Sequence, residues 1–486
     1  MRKRFELQLT LGQTAIENIK IPTKSRDELP PVLAGLQWIF MTPEINEEIF
    51  ELLEDKITSE NNHTGRPGMD LWQILVLGVI RLALDCDYDR IEHVANYDGL
   101  VREVMGLSVF GGAEQFHHKT LSENVCHMDD ELLGRINEIV VKHGRDCFKK
   151  KDDEKIAVKT DSYVLETNVH YPTDMNLLWD AGRKSIELAS RLCHDLGLPG
   201  WRKEKIWTRH LKSAKRACEK TFSGGGVNKE ERVEQMVSSY LRIARDLEAK
   251  VSGSVFELAQ ASLTVGQLLR LTEIEYFHRM LVKHIDLVDR RLLKHETIPH
   301  EEKVFSLFEP HTELIKKGKV MPPVEFGHRL LISTDQYGLV LDYKVMEGGS
   351  EKGEIVPSVN RLLKRFGEDA IGSLSTDKGF SSAENREELS RRIPLVVMPK
   401  VGRRSESDKE RESDKTWHEL KQKHSAVESD INSLEHHGLN RCLDKGLNGY
   451  KRYVGFGILA LNLHRIGLKL LEARNAEKGP RRQKAA

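Results

Sequence analysis

The residues of this sequence best suited to chemistry are acidic side chains placed in strand-like or helical surroundings. Asp161 stands inside the apolar run IAVKTDSYV, and Asp377 follows AIGSL, just before a turn and a helix. A helix predicted over 416–437 offers a third acid, either Glu428 or Glu435. Carboxylate oxygens are the ligands that Mg²⁺ prefers, and two Mg²⁺ ions about 3.5–4 Å apart can bracket a phosphodiester during its cleavage. These acids therefore predict a metal site for phosphate chemistry.

The chain contains 75 Asp and Glu residues, so the spacing between acids carries little information. Candidate metal ligands must instead be identified from the predicted strand, turn or helix in which each acid lies. Asp377 could instead shape a turn, and Asp335 in TDQYG is predicted to do so. Asp174 is most simply a helix cap. Glu428 and Glu435 lie seven residues apart near the same edge of the helix, so helical geometry does not separate them.

Composition indicates a globular protein with a highly charged surface. The 486 residues include 39% hydrophobic and 31% charged residues, and 75 Lys and Arg balance the acids, so any DNA binding needs local basic patches.

None of the six cysteines forms a CxxC pair, which favours a reducing compartment over a disulfide framework or a structural zinc site. The N-terminus lacks the apolar part of a signal peptide, and the apolar run 71–85 is too short to span a bilayer. We expect a cytoplasmic protein.

The order of predicted elements indicates an α/β protein. Residues 1–150 are mostly helical in pattern, and 155–174 alternate as one or two strands. The later elements are a charged helical stretch at 176–300 broken once at 223–230, a hairpin at 323–348, a helix, the strand before Asp377, a helix, a strand at 394–400, a charged mobile loop at 403–415 and the closing helix at 416–437. This is the element order of an RNase H-like fold.

We therefore predict an RNase H-like mixed-sheet catalytic core with a helical N-terminal domain and a long helical insertion. The predicted bounds are 1–150 for the N-terminal domain, 151–174 and 320–470 for the core, 175–319 for the insertion and 471–486 for a basic disordered tail.

Several longer motifs resemble the DDE transposases of bacterial insertion sequences, most closely the ISNCY-type group. They are TDSYVLETNVHYPTDMNLLWDAGRK, FSLFEPHTELIKKGK, STDKGFSSAENREEL, VESDINSLEHHGLNRC and GYKRYVGFGILALNLHRIG. Residues 64–107 are similar to the N-terminal helical domain of such enzymes. The resemblance covers roughly residues 64–467, with the motifs in the family's order.

The resemblance implies a catalytic and metal-binding triad of Asp161, Asp377 and Glu428, and so favours Glu428 over Glu435. It implies Mg²⁺ as the cofactor, with Mn²⁺ expected to substitute. It also implies double-stranded DNA partners, namely the terminal inverted repeats of the element and a target, with hydrolysis followed by strand transfer by direct transesterification. A homodimer on paired DNA ends and association with the nucleoid are expected as well.

Basic residues supply weaker hypotheses for DNA contact. Arg441 lies in a motif that matches the family, and Lys378 follows Asp377 directly. Arg202 and Lys203 open the segment WRKEKIWTRHLKSAKRACEK, where aromatic and basic residues interleave. Such interleaving suits a DNA-facing surface, although a solvated helix face is the default explanation of the same charges.

Three other functions fit parts of the sequence. An RNase H-like nuclease could cleave DNA without joining it. A catalytically inactive, transposase-derived regulator could bind DNA only, although all three acids are in place. A purely structural helical protein would leave the acid inside the apolar strand run unexplained.

Overall fold

A computed structural model describes residues 2–5, 12–58, 68–108, 115–149, 151, 153–316 and 323–477. The chain divides into two compact units, one formed by 1–168 with 315–486 and the other by 169–314. Residues 64–67 of the family-like N-terminal segment and 478–486 of the predicted tail lie outside the described residues.

The described elements comprise seven strands and seventeen α-helices. The strands are β1 (Ile156–Thr167), β2 (Glu313–Lys316), β3 (Val324–Thr334), β4 (Val340–Met346), β5 (Ile371–Thr376), β6 (Leu395–Val397) and β7 (Arg441–Cys442). The helices are α1 (Leu29–Met41), α2 (Pro43–Leu53), α3 (Leu71–Ala83), α4 (Tyr88–Tyr97), α5 (Gly99–Val104), α6 (His118–Val125), α7 (Asp130–Gly144), α8 (Asp174–Asp195), α9 (Glu204–Ser223), α10 (Lys229–Ala259), α11 (Val265–Val288), α12 (Glu351–Phe366), α13 (Ala383–Ser390), α14 (Glu406–Glu412), α15 (Lys415–His424), α16 (Ala426–Leu434) and α17 (Gly446–Glu477).

The strands form one mixed sheet in the order β2-β3-β1-β5-β6, with β4 paired to β3 and β7 paired to β1. Strand β1 runs antiparallel to β3, with Asp161 opposite Ile332. It runs parallel to β5, with Thr160 opposite Thr376. Strands β5 and β6 are also parallel. The sheet and its surrounding helices confirm the predicted α/β class.

The hairpin between β3 and β4 turns where the sequence predicts it. One carboxylate oxygen of Asp335 accepts hydrogen bonds from the backbone N–H groups of Tyr337 and Leu339, at 2.9 and 3.0 Å. The other accepts from Arg145 Nε at 3.0 Å. Gly338 has a φ of 82°, which disfavours residues with a Cβ. Asp335 therefore shapes the turn, the role predicted for it.

Helix α17 forms the centre of the helical side of the larger unit and packs against α1, α3 and α7. A Cβ at Gly467 would lie 1.7 Å from the Pro31 carbonyl oxygen, and one at Gly35 would lie 2.5 Å from the Leu463 carbonyl oxygen. These glycines permit the close approach of α1 and α17. By length and composition α17 could cross a membrane, but 72% of its most apolar window is buried within the protein. Packing in the core thus accounts for its apolar sequence.

The smaller unit contains α8 to α11 around a hydrophobic core of its own, with Leu178, Tyr240, Leu247 and Leu281 fully buried. Its helices are separated by three breaks, at 196–203, 224–228 and 260–264, where the sequence predicts one. The extra breaks follow from packing, since each returns the chain so that another helix can bury its apolar stripe.

The structure also differs from the predicted bounds in the larger unit. The N-terminal helices share one hydrophobic core with the sheet and do not form a unit of their own. The unit boundary lies at 169–314 instead of 175–319. Residues 471–477 of the predicted tail continue α17. In each case long-range packing, which local patterns do not encode, determines the boundary.

Two predictions near the C-terminal part of the sheet are wrong. The charged run 403–415 is not a loop throughout, because it contains α14, which Ser405 caps by accepting from the Asp408 backbone N–H. Ion pairs of Lys400 with Asp408 and of Arg404 with Glu412 hold this helix. The closing helix is broken at Ser425 into α15 and α16.

Candidate metal centre: a carboxylate cluster beside the central strands

Asp161 and Asp377 are brought side by side by the parallel pairing of β1 and β5. Thr160 pairs with Thr376, so the next residue of each strand is one of the two aspartates. Strand β5 ends at this point, and Lys378–Phe380 forms a 3-10 turn. In open α/β sheets ligands bind outside the carboxyl ends of such strands. The pairing therefore positions Asp377 at the carboxyl end of β5, next to Asp161, which is the sixth of the twelve residues of β1.

Asp161 is half-buried, and its environment disfavours the charged carboxylate. Burial raises its pKa from 3.8 to about 6, the backbone N–H of Ser162 opposes that shift, and the negative charges of Asp377, Glu351 and Glu428 increase it. The other three carboxylates thus lie close enough to Asp161 for their charges to affect its pKa. We refer to these four side chains as the carboxylate cluster. A divalent cation would relieve this repulsion, since like charges that share a site raise the free-energy cost of ionising each other.

Glu351 is the member of the cluster that the sequence does not predict. It is the first residue of α12, and its Oε1 accepts a hydrogen bond of 2.7 Å from Ser162 Oγ. Its Oε2 lies over the turn after Asp377, where a Cβ at Gly379 would come within 2.1 Å of it. In the sequence, an acidic residue in the first turn of a helix is only weak evidence for a functional site, because the helix dipole favours acidic residues at the start of any helix.

Glu428 and Glu435 are separated by the structure. Glu428 is exposed on α16, and its charge acts on Asp161 and on His424. Glu435 instead acts on Tyr163 and lines a different cavity, together with Glu166 and Arg441. The carboxylate cluster around Asp161 and Asp377 therefore contains Glu428 and not Glu435.

His424 closes one side of the cluster from the end of α15. Its Nδ1 lies 3.1 Å from Ser375 Oγ on β5. Burial lowers its pKa below 6.5, while the charges of Asp377 and Glu428 oppose this and Lys159 adds to it. The ring is therefore mainly neutral near pH 7 and leaves the negative charge of the carboxylates uncompensated.

A buried network behind the cluster fixes helix α16 to the sheet. Asp430 accepts hydrogen bonds from Lys159 Nζ at 3.0 Å, Thr334 Oγ1 at 2.7 Å and Arg465 Nη2 at 3.0 Å. Lys159 and Asp430 are both buried. Because Asp430 follows Glu428 by two residues, this network sets the position of Glu428 relative to β1.

The basic residues singled out in the sequence are dispersed. Lys378 is exposed next to Asp377. Arg441 pairs with Glu166 at 2.7 Å, and Glu166 is five residues along β1 from Asp161, roughly 16 Å away. Arg202 and Lys203 are exposed just before α9 in the smaller unit. Of the four, the structure places only Lys378 beside the carboxylates.

A basic cavity that the sequence does not reveal begins at Lys378. It has a volume of about 550 Å³ and is lined by Lys378, Lys400, Val401, Gly402, Arg403, Arg404 and Lys409. Three of the seven lining residues, Arg403, Arg404 and Lys409, come from the segment predicted to be a mobile loop. Folding of α14 and the ion pairs that hold it bring these cations next to the turn after Asp377.

No protein-family model matches the chain, and no curated protein or solved structure matches it either.

The raised pKa of Asp161 makes a prediction about stability. Between about pH 4 and pH 6 the folded state binds more protons at Asp161 than the unfolded state does, so the charged carboxylate costs stability above pH 6. Without Mg²⁺ at about pH 7.5, Asp161→Asn is expected to increase the free energy of unfolding, by at most about 3 kcal/mol. Urea unfolding of both proteins measures this difference.

Two controls accompany this measurement. At about pH 4 the difference between Asp161→Asn and the wild type should largely vanish, because Asp161 is then protonated in the folded protein. Added Mg²⁺ should stabilise the wild type more than the variant. If the difference in unfolding free energy depended on neither pH nor Mg²⁺, the charge of Asp161 would not destabilise the folded protein.

Proposed function

We propose that the protein is a DNA transposase that cuts DNA at the terminal inverted repeats of its element and joins the ends to a target by metal-dependent transesterification. The observation that carries this proposal is that Asp161 and Asp377 follow the paired residues Thr160 and Thr376, and that burial together with the charges of Asp377 and Glu428 raises the pKa of Asp161 to about 6. These are the three acids that the resemblance to DDE transposases selects.

The topology supports an RNase H-like core. Strands β4, β3, β1, β5 and β6 follow one another across the sheet, the first three antiparallel and the last three parallel. The smaller unit, 169–314, is inserted after β1. This arrangement agrees with the predicted order of hairpin, helix, strand, helix and strand around Asp161 and Asp377.

The donor set fits Mg²⁺, which takes oxygen ligands and is commonly bound by one or two carboxylates plus waters and phosphate oxygens. When bound, paired Mg²⁺ ions would polarise the scissile phosphate and activate the attacking water or 3′-hydroxyl. Asp161 would hold them from the middle of β1, Asp377 from the end of β5 and Glu428 from α16. Glu351 keeps its place through Ser162 and adds a fourth negative charge.

Residues beside the cluster suit the DNA backbone. Lys378 and Arg403 line the basic cavity next to Asp377, and cations contact phosphates without reading sequence. His424, mainly neutral, leaves the carboxylates free to attract cations. Recognition of the terminal repeats is assigned to the helices of residues 1–150 and 169–314, and pairing of two ends to a homodimer.

The test uses DNA from the two flanks of the gene, incubated with the protein with and without Mg²⁺, with nicks mapped to the nucleotide. We expect metal-dependent nicks at paired repeat ends, 3′-hydroxyl products joined to target DNA, and loss of both in Asp377→Ala. Cleavage without joining would indicate a nuclease. Binding without cleavage would indicate a regulator. Cleavage that survives Asp377→Ala would refute the assignment of the site.

A further inference from the structure

A second group of metal-binding side chains lies far along the chain from the carboxylate cluster. Among the described residues, Glu92 on α4 and the adjacent His117 and His118 at the start of α6 place one ligand atom each within 4.8 Å of one another. Glu92 Oε2 is 3.1 Å from His118 Nδ1, and Asp89 Oδ1 is 3.5 Å from the same nitrogen. Ligand atoms in a tetrahedral zinc site stand roughly 3.4 Å apart, so little movement is needed to bind a cation.

Separate hydrogen bonds hold the histidine segment in place on α4. The side chain of Asn96 donates to the Phe116 carbonyl at 2.8 Å and accepts from the Phe116 N–H at 2.8 Å. One turn earlier on the same face of α4, Glu92 Oε2 accepts from the His118 backbone N–H at 2.6 Å. These bonds preorganise the ligands, which lowers the entropic cost of binding.

We propose that Glu92, His117 and His118 form a binding site for a zinc-class divalent cation that ties α4 to the start of α6. Imidazole nitrogen with a carboxylate suits Zn²⁺ and its neighbours Co²⁺, Ni²⁺ and Cu²⁺, whereas Mg²⁺ prefers an all-oxygen set. The site would thus be chemically distinct from the carboxylate cluster. Three protein ligands leave a fourth position for water or for Asp89. The proposed site uses no cysteine ligands, so the unfavourable spacing of the cysteines does not argue against it.

The three ligand side chains are accessible from solvent. Glu92 and His118 are half-buried and His117 is exposed. A cation can therefore enter from solvent without opening the core.

The test is isothermal titration of the untagged, chelator-treated protein with ZnCl₂, together with the visible spectrum of the Co²⁺ form. We expect one tightly bound Zn²⁺ per chain that raises the melting temperature, and the absorption of tetrahedral Co²⁺. His117→Asn removes one ligand while keeping a good helix N-cap, and should weaken binding at least tenfold.

His93→Ala is the matched control, because His93 is an exposed histidine of α4 outside the group, and it should bind Zn²⁺ as the wild type does. The melting temperature of metal-free His117→Asn shows whether that variant is folded. Absence of a stoichiometric Zn²⁺ site in the wild type would overturn the proposal, as would equal affinity in wild type and His117→Asn. Neither result depends on DNA cleavage, so failure of the zinc proposal can be distinguished from failure of the proposed function.

Discussion

Glu428→Gln is expected to lower Mg²⁺-dependent DNA cleavage by at least about a thousandfold, which corresponds to roughly 4 kcal/mol of lost transition-state stabilisation. The reason is that the charge of Glu428 acts on Asp161 in β1 and on His424 at the end of α15. An amide cannot supply the negative charge that holds a second cation there. Rates are measured by single-turnover nicking of repeat-end DNA.

Glu435→Gln is the matched control for this experiment. Glu435 comes seven residues after Glu428, directly after the end of α16, and is also exposed. It lines a different cavity, together with Arg441 and Glu166. Its replacement should leave cleavage within about twofold of wild type, and neither exposed substitution should change stability by more than about 0.5 kcal/mol. Equal losses in both variants would contradict the assignment. Full activity in Glu428→Gln with loss in Glu351→Gln would transfer the third ligand to α12.

Asp430→Asn is expected to destabilise the protein by about 3–5 kcal/mol. The substitution removes the one negative charge that Lys159 and Arg465 share, at 3.0 Å from each. Lys159 is only 8% exposed, so water cannot replace that partner. Urea unfolding without Mg²⁺ gives the free energy of unfolding. Since Asp430 anchors α16, cleavage should also fall at temperatures where the variant is still folded.

An exposed ion pair provides the comparison for the buried network. Glu472 pairs with Lys469 at 3.2 Å on α17, with side chains 68% and 46% exposed. Glu472→Gln should cost less than about 1 kcal/mol, because exposed pairs are screened by water and salt. A cost for Asp430→Asn no larger than that of Glu472→Gln would show that the network does not hold α16 to the sheet.

Local patterns predicted the elements that carry Asp161 and Asp377. The alternation of 155–174 predicted one or two strands, and one strand, β1, forms within it; the apolar stretch before Asp377 forms β5. The same holds for the hairpin around Asp335. These elements follow from periodicity and turn chemistry, which are properties of neighbouring residues.

Charge composition predicted a loop at 403–415, but ion pairs between residues eight positions apart and the capping box of Ser405 and Asp408 stabilise a helix there. The prediction of one closing helix failed for another reason, because distant contacts decide its structure. Helical periodicity continued through Ser425, where the chain breaks so that His424 meets Ser375 and Asp430 meets Lys159. No property of the segment itself reports those partners.

The sequence by itself determined the α/β class, the strand that contains Asp161, the strand end at Asp377 and the turn role of Asp335, because each depends on residues close together in the chain. Only the tertiary structure decided that Glu428 and not Glu435 joins the cluster, that Glu351 belongs to it, and that Lys378 opens a basic cavity. Those outcomes depend on strand pairing and on the docking of α12, α14 and α16. Charge repulsion and desolvation act through space, so the site exists only after the chain has folded.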